Sequence, residues 1–255
     1  MPYKECDYLT TPADATILWR YMDFTKFVSL LDKQALFFAS IASFQDPFEG
    51  SLPVANMEAH KDLGQRMAGG QLHSDDPEEL RRLEKELERP IGLQLQEARR
   101  SVLVNCWHES PLETEFMWKV YAHPTETSGN GVAIETDCKS LKESFICEAP
   151  IYITQVQYVD KTSFISEYKL LLCSHKRKSF EPEREVRAMT DLGDRAEAVG
   201  GVHYKVDLSK LIKKVLVAPY AKDWFMELVQ STAKRYSLNI RVCKSDLGND
   251  PIWSW

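Results

Sequence analysis

The densest concentration of chemically capable side chains is Phe180-Glu-Pro-Glu-Arg-Glu-Val-Arg187. Read as a strand, this segment puts Glu183, Glu185 and Arg187 on one face and Arg184, Val186 and Ala188 on the other. Carboxylates two residues apart on a strand lie about 7 Å apart. They can divide labour, one orienting a substrate hydroxyl and the other stabilising developing positive charge. The competing reading is a solvent-facing strand with an ordinary Glu185–Arg187 pair. A second constellation is Phe116-Met-Trp-Lys-Val-Tyr121. On an α-helix Trp118 and Tyr121 are neighbours, forming either an aromatic wall for a flat ring or plain core. The third candidate is Arg20, a guanidinium in an otherwise apolar strand. Burial obliges it to meet an anion, either a carboxylate of the protein or the phosphate of a ligand.

Other chemistries lack their residues. Neither Gly-x-Gly-x-x-Gly, the phosphate loop Gly-x-x-x-x-Gly-Lys-Ser/Thr, nor Gly-x-Ser-x-Gly occurs. Cys106 and His108 share a strand face, but two residues make neither a zinc site nor a supported nucleophile–base pair, so no metal ligand is assigned. The six cysteines are scattered without a Cys-x-x-Cys pair, which reads as reduced thiols in a cytoplasmic protein.

The elements that must position these residues alternate irregularly. Residues 16–22 read as a strand, with Asp23 capping a helix whose stripe is Phe24, Phe27, Val28 and Leu31. A short strand at 35–39 enters the turn Ser43-Phe-Gln-Asp-Pro-Phe-Glu-Gly50. Residues 54–100 read as a helical insertion, packed on the core or closing over a site. Gly69-Gly70 through Asp76 form a break in it, and the charged helix after Pro77, with its Leu80, Leu83 and Leu87 stripe, is interrupted at Pro90. Strands are expected at 101–107, 131–136, 151–158, 184–189, 202–206, 212–217 and 238–242, with helices at 113–122 and 223–236. Many strands with few regular alternations give an α+β fold: a mixed, mostly antiparallel sheet flanked by helices. The expectation is a single domain over 1–255.

Composition agrees with a globular chain, 44% hydrophobic and 27% charged. A net charge of −6 argues against broad attraction to nucleic acid or an anionic membrane. The run His175-Lys176-Arg177-Lys178 reads as solvated surface, with a phosphate site as its alternative. No stretch approaches a membrane span, and Met1 to Asp7 lack a signal-peptide layout, so a cytoplasmic location is expected.

Taken in order, these motifs resemble the bacterial family catalogued as domain of unknown function 2971. The resemblance lies in Trp19-Arg20-Tyr21, in Phe44-Gln-Asp-Pro-Phe-Glu49, in Met117-Trp118 with Tyr121 and Gly131-Val-Ala-Ile-Glu135, and in Lys178 or a neighbour with Phe180, Glu183, Glu185 and Arg187. The chain departs from that family's pattern at Gln45 (Asn), Phe180 (Trp) and Val186 (Tyr). The motif order is also similar to that of ADP-ribosyltransferases, with a basic residue on the first strand, an aromatic in the middle and Glu-x-Glu on a late strand. That resemblance implies an NAD-using transferase, with bacterial defence or toxin–antitoxin conflict as its setting. It implies Glu183 and Glu185 as catalytic groups, with Arg20, Trp118 and Tyr121 binding the nucleotide and the macromolecular acceptor left open. Two other readings stand beside it: a non-catalytic ligand-sensing or interaction module, and a metal-dependent nuclease using Glu183, Glu185 and Lys178.

Overall fold

Asp23 is both the last residue of the first strand, β1 (Ile17–Asp23), and the cap of the first helix, α1 (Phe24–Lys33). Its carboxylate accepts the Lys26 backbone N–H at 2.8 Å, satisfying a donor that the helix start leaves open. Phe27, Leu30 and Leu31 turn inward, and Gln34, left-handed at φ 45°, redirects the chain into β2 (Ala35–Ser40). The computed structural model describes residues 2–71, 77–122, 130–193 and 200–249, without the side chains of 64–65, 67–71 and 77–88.

Two helices follow, α2 (Val54–Gln71) and α3 (Pro77–Ser101), then β3 (Val102–Glu109). A short helix, α4 (Glu115–Met117), runs into a π-helical turn (Trp118–Ala122) before β4 (Gly131–Asp137) and α5 (Cys138–Ser144). Then come β5 (Tyr152–Gln155), β6 (Gln157–Val159), α6 (Lys169–Leu172), β7 (His175–Arg177) and a 3-10 turn (Lys178–Glu183). The chain closes with β8 (Glu185–Asp191), β9 (Gly201–Lys205), α7 (Leu208–Leu211), β10 (Lys214–Val217), α8 (Asp223–Arg235) and β11 (Val242–Lys244). Nine strands form one sheet in the order β11-β10-β4-β1-β3-β2-β9, with β8 joining β3 to β5. Its pairings are antiparallel except β10 with β11. The fold is therefore α+β with a mixed, mostly antiparallel sheet.

The strand β3 organises this sheet. One of its edges pairs with β8 along Val102 to His108. The other edge is shared: β1 takes Leu18↔Glu109 and Trp19↔His108, while β2 takes Ala39↔Val104 and Ser40↔Leu103. In between, β1 stays with β4 and β2 stays with β9, so the sheet splits beside Asn105 to Trp107. Side chains replace part of the missing ladder. Asn105 Nδ2 donates to the Phe37 carbonyl at 2.8 Å, and Arg20 Nη1 donates to the Cys106 carbonyl at 2.8 Å. Alternate β3 residues enter different cores. Leu103 belongs to the larger one, with α1, α5 and α8, whereas Val102 and Val104 join Ile41, Ala98 and Leu172 in the second.

Several sequence expectations shift for identifiable reasons. The helix does not stop at Pro90. It continues to Ser101, held by Ile91, Leu95 and Ala98 against the second core, whose packing outweighs the hydrogen bond that proline removes. Gly69-Gly70 lie within α2, while the rest of the expected break, 72–76, and the side chains of Leu80, Leu83 and Leu87 lie outside the described residues. The expected strand at 151–158 divides at Val156, where the chain leaves β8 for β7. The last strand begins at Val242, because Leu238 and Ile240 are used for packing and not for pairing.

The 43–50 turn is fixed mainly by Asp46, which accepts the Phe48 N–H at 3.0 Å and binds the Arg177 guanidinium at 3.1 Å. Gly50 closes it at φ 68°, where a Cβ would lie 2.9 Å from Arg99 Cγ. Removing the Asp46 carboxylate releases both contacts. Asp46→Ala is expected to cost about 1–2 kcal/mol in urea unfolding at neutral pH; an unchanged midpoint would contradict this role for the turn.

Candidate functional site

Arg187 is fully buried at 0% exposure, and an isolated guanidinium there would be prohibitively costly. It is answered on every side. Its Nε meets Glu185 Oε1 at 2.7 Å, its Nη2 meets Glu49 at 2.8 Å and Glu185 Oε2 at 3.1 Å, and its Nη1 donates to the Cys173 carbonyl at 2.6 Å. Lys176 extends the network to Glu183 at 2.5 Å, Glu185 at 3.2 Å and Glu49 at 3.4 Å. Three carboxylates therefore face two cations, leaving one formal negative charge in the cluster.

The local backbone makes this convergence possible. Glu183 is not part of the strand, as the sequence reading had it, but ends the 3-10 turn, and β8 starts at Glu185. Between them Arg184 is left-handed at φ 38°, a conformation that costs a non-glycine residue about 1–2 kcal/mol. The kink brings both carboxylates to one ammonium, while Arg184 itself turns outward toward Glu109 at 3.6 Å. The Glu185 backbone N–H donates to Tyr158 Oη at 2.7 Å.

The charges set the protonation states. Burial alone would raise the Glu185 carboxyl, but Arg187 and Lys176 outweigh it and hold the group at about 2. Burial would lower Lys176, yet Glu185 and Glu49 keep it above the usual lysine range. Burial and then Glu185 hold the Cys106 thiol well above its ordinary value, and burial and then Glu183 do the same for the Tyr121 phenol. Both stay protonated at neutral pH.

A cavity of about 340 Å³ opens at the split in the sheet, and Arg20, Tyr121, Glu183 and Glu185 all line it, with Cys106 and His108. The structure thus brings four of the five sequence candidates together. Arg20 has a carbonyl and the Trp107 ring, 5.9 Å away, as its contacts, and no carboxylate within ion-pair distance among the described residues. Trp118 is not in the cavity. It is 1% exposed, packs edge-on against Tyr21 at 5.0 Å and donates its indole N–H to Glu113 at 2.8 Å. The π turn winds more residues per turn than an α-helix, which rotates Tyr121 away from Trp118. Gly131 lets β4 press against this turn, since a Cβ there would lie 2.4 Å from Ala122 Cβ.

Sequence reasoning missed Glu49 and Lys176. Glu49 lies in the 43–50 turn and ends the Phe44–Glu49 motif, but nothing local in the sequence gives it a charge partner. Lys176 was hidden in the basic run read as solvated surface. Arg177 and Lys178 are exposed there, whereas the Lys176 side chain is 8% exposed. Among the described residues no group of three or more His, Cys, Asp or Glu is placed to hold a metal ion, and no helix is long and apolar enough to cross a membrane. All six cysteines are free.

No family model matches the chain, so the likeness to domain of unknown function 2971 rests on its motifs, and no curated protein matches it. Solved structures similar to it include Thermus sp. 2.9 DarT in complex with ADP-ribosylated ssDNA, at TM-score 0.42 and 10% identity over 95% of this chain and 100% of that one. The same protein in complex with NAD+ gives 0.41 and 11% over 94% and 100%, and in complex with carba-NAD+ 0.43 and 9% over 94% and 100%. Likenesses of this size establish neither family nor activity.

The depressed Glu185 carboxyl links stability to pH. Its folded value of about 2 lies below the ordinary 4.5, so its contribution is complete above 4.5 and is lost as pH falls toward 2. Glu185→Gln removes the two-point carboxylate contact of the fully buried Arg187, leaving Glu49 as its one carboxylate partner, and is expected to cost about 3–5 kcal/mol at neutral pH. Its urea midpoint should vary less than that of the wild type across the acid window. Parallel curves for the two proteins would show that Glu185 is not the group responsible.

Proposed function

We propose that the chain is an ADP-ribosyltransferase-like enzyme that takes NAD as its substrate. The observation that carries this reading is the convergence of Arg20, Tyr121 and the Glu183-Arg-Glu185 segment on one cavity at the split of the sheet. Arg20, a cation with no carboxylate within ion-pair distance among the described residues, suits a pyrophosphate. Tyr121, uncharged and 40% exposed, offers a face to a flat ring. Breaking the bond between nicotinamide and ribose builds positive charge on the sugar, and the net negative carboxylate cluster favours that charge electrostatically.

The two glutamates have different duties in this scheme. Glu185 is committed to Arg187 and sets the geometry. Glu183 has one cationic partner, Lys176, and is the group that meets the sugar. Lys176 holds both carboxylates and Arg187 also holds Glu185, which does not favour the nuclease reading. A place in bacterial defence or toxin–antitoxin conflict is the setting that the motif order suggests.

Glu183→Gln tests this division. It leaves two carboxylates against two cations, so folding should survive. NAD binding by calorimetry should persist, while nicotinamide release falls about 10²–10³-fold. Equal turnover would remove Glu183 from the chemistry. A wild-type protein that neither binds nor consumes NAD would overturn the transferase reading in favour of a ligand-sensing module.

A further inference from the structure

His108 is 2% exposed, lies in the cavity wall and has no part in the scheme above. Its Nδ1 is 2.6 Å from the Glu183 carbonyl oxygen. A carbonyl can only accept, so Nδ1 carries the proton of the neutral ring. Nε2 is then a bare lone pair, buried and without a hydrogen-bond partner among the described residues. Such an atom is costly unless a ligand supplies the donor. Across the sheet His108 is paired with Glu185 on one side and Trp19 on the other, which sets the ring beside the carboxylate cluster.

A proton acceptor is what the proposed transfer still needs. Moving ADP-ribose onto an O–H or N–H nucleophile releases one proton, and the other groups facing His108 are poor candidates to take it. Glu185 is a weak base, held near 2. Glu183 is bound by Lys176, which is itself protonated. Cys106, Tyr121 and Tyr21 keep their protons, their values raised chiefly by burial. Arg20 and Arg184 are cations, and Glu109 is engaged by Arg184 at 3.6 Å and by Gln155 at 2.7 Å. His203, the other imidazole of the wall, is exposed on β9 against Phe37.

Resting on the NAD reading, we infer that His108 Nε2 is the general base of the site, and that the acceptor is an uncharged O–H or N–H nucleophile. The nucleophile bonds to the ribose C1′ as the C1′–nicotinamide bond breaks. That bonding pair leaves on the nicotinamide nitrogen, which becomes neutral. The nucleophile's proton passes to Nε2, and the imidazolium returns it to solvent. Burial lowers the basicity of His108 below the usual imidazole range, so the ring is neutral and ready at physiological pH.

Water serves as the probe nucleophile, with nicotinamide release from NAD as the readout. The wild-type rate should fall on the acid side with a midpoint below 6.5, where Nε2 becomes protonated. His108→Ala should bind NAD in calorimetry, lose about 10²–10⁴-fold in release and recover at least about tenfold when free imidazole is added. His108→Gln, which retains polarity without that basicity, should bind NAD, remain slow and lack the acid limb. The inference is overturned if folded His108→Ala turns over at the wild-type rate, if imidazole fails to rescue it, or if it loses NAD binding, which would make His108 a positioning residue. If the alanine variant does not fold, an acid limb that persists in His108→Gln overturns the inference equally. Wild type that binds NAD but releases no nicotinamide overturns this step alone. Wild type that does not bind NAD overturns both this step and the reading beneath it.

Discussion

The buried guanidinium of Arg187 is the constraint around which the site is built. It is affordable only because Glu185, Glu49 and the Cys173 carbonyl meet it within 2.8 Å. Those partners come from distant parts of the chain, so satisfying one charge fixes three segments at once. The 43–50 turn must present Glu49, the end of α6 must present Cys173, and β8 must begin at Glu185. Lys176 then joins the same carboxylates from β7 and adds Glu183. The surplus carboxylate gives the cluster its net charge, and it faces the cavity.

The cavity has a topological origin. β1 and β2 each meet only one end of the same β3 edge and diverge from it toward β4 and β9. Backbone groups left between them are taken by Arg20 and Asn105, which ties Arg20 to the floor of the opening. A cation anchored to a carbonyl has no adjacent anion to cancel its field, unlike one paired with a carboxylate. The result is a cleft with a cation on one wall and a net-negative cluster nearby, a polarity suited to a ligand that carries phosphate at one end and develops positive charge at the other.

Much of this was legible in the sequence where local rules decide. Asp23 caps its helix, β1 and β4 form where apolar runs read as strands, and the types of Arg20, Tyr121, Glu183 and Glu185 mark them as candidates from the sequence alone. What escaped was decided by tertiary context. A lysine in a basic run has no local sign that three carboxylates surround it, which is why Lys176 read as surface. The π turn could not be inferred from α-helical spacing, so Trp118 was grouped with Tyr121 although it is core. Pro90 marked a helix end that packing by Ile91, Leu95 and Ala98 overrode. The left-handed Arg184 likewise has no glycine to announce it.

The most direct test of the account is a crystal structure grown with carba-NAD+, an analogue in which bond cleavage is blocked. The account predicts density in the cleft between β1 and β2, with the pyrophosphate at Arg20, the nicotinamide against Tyr121 and the sugar carbon that bears it facing Glu183. Density elsewhere on the molecule, or a ligand in the cleft with its pyrophosphate against Glu183 and Glu185, would contradict it.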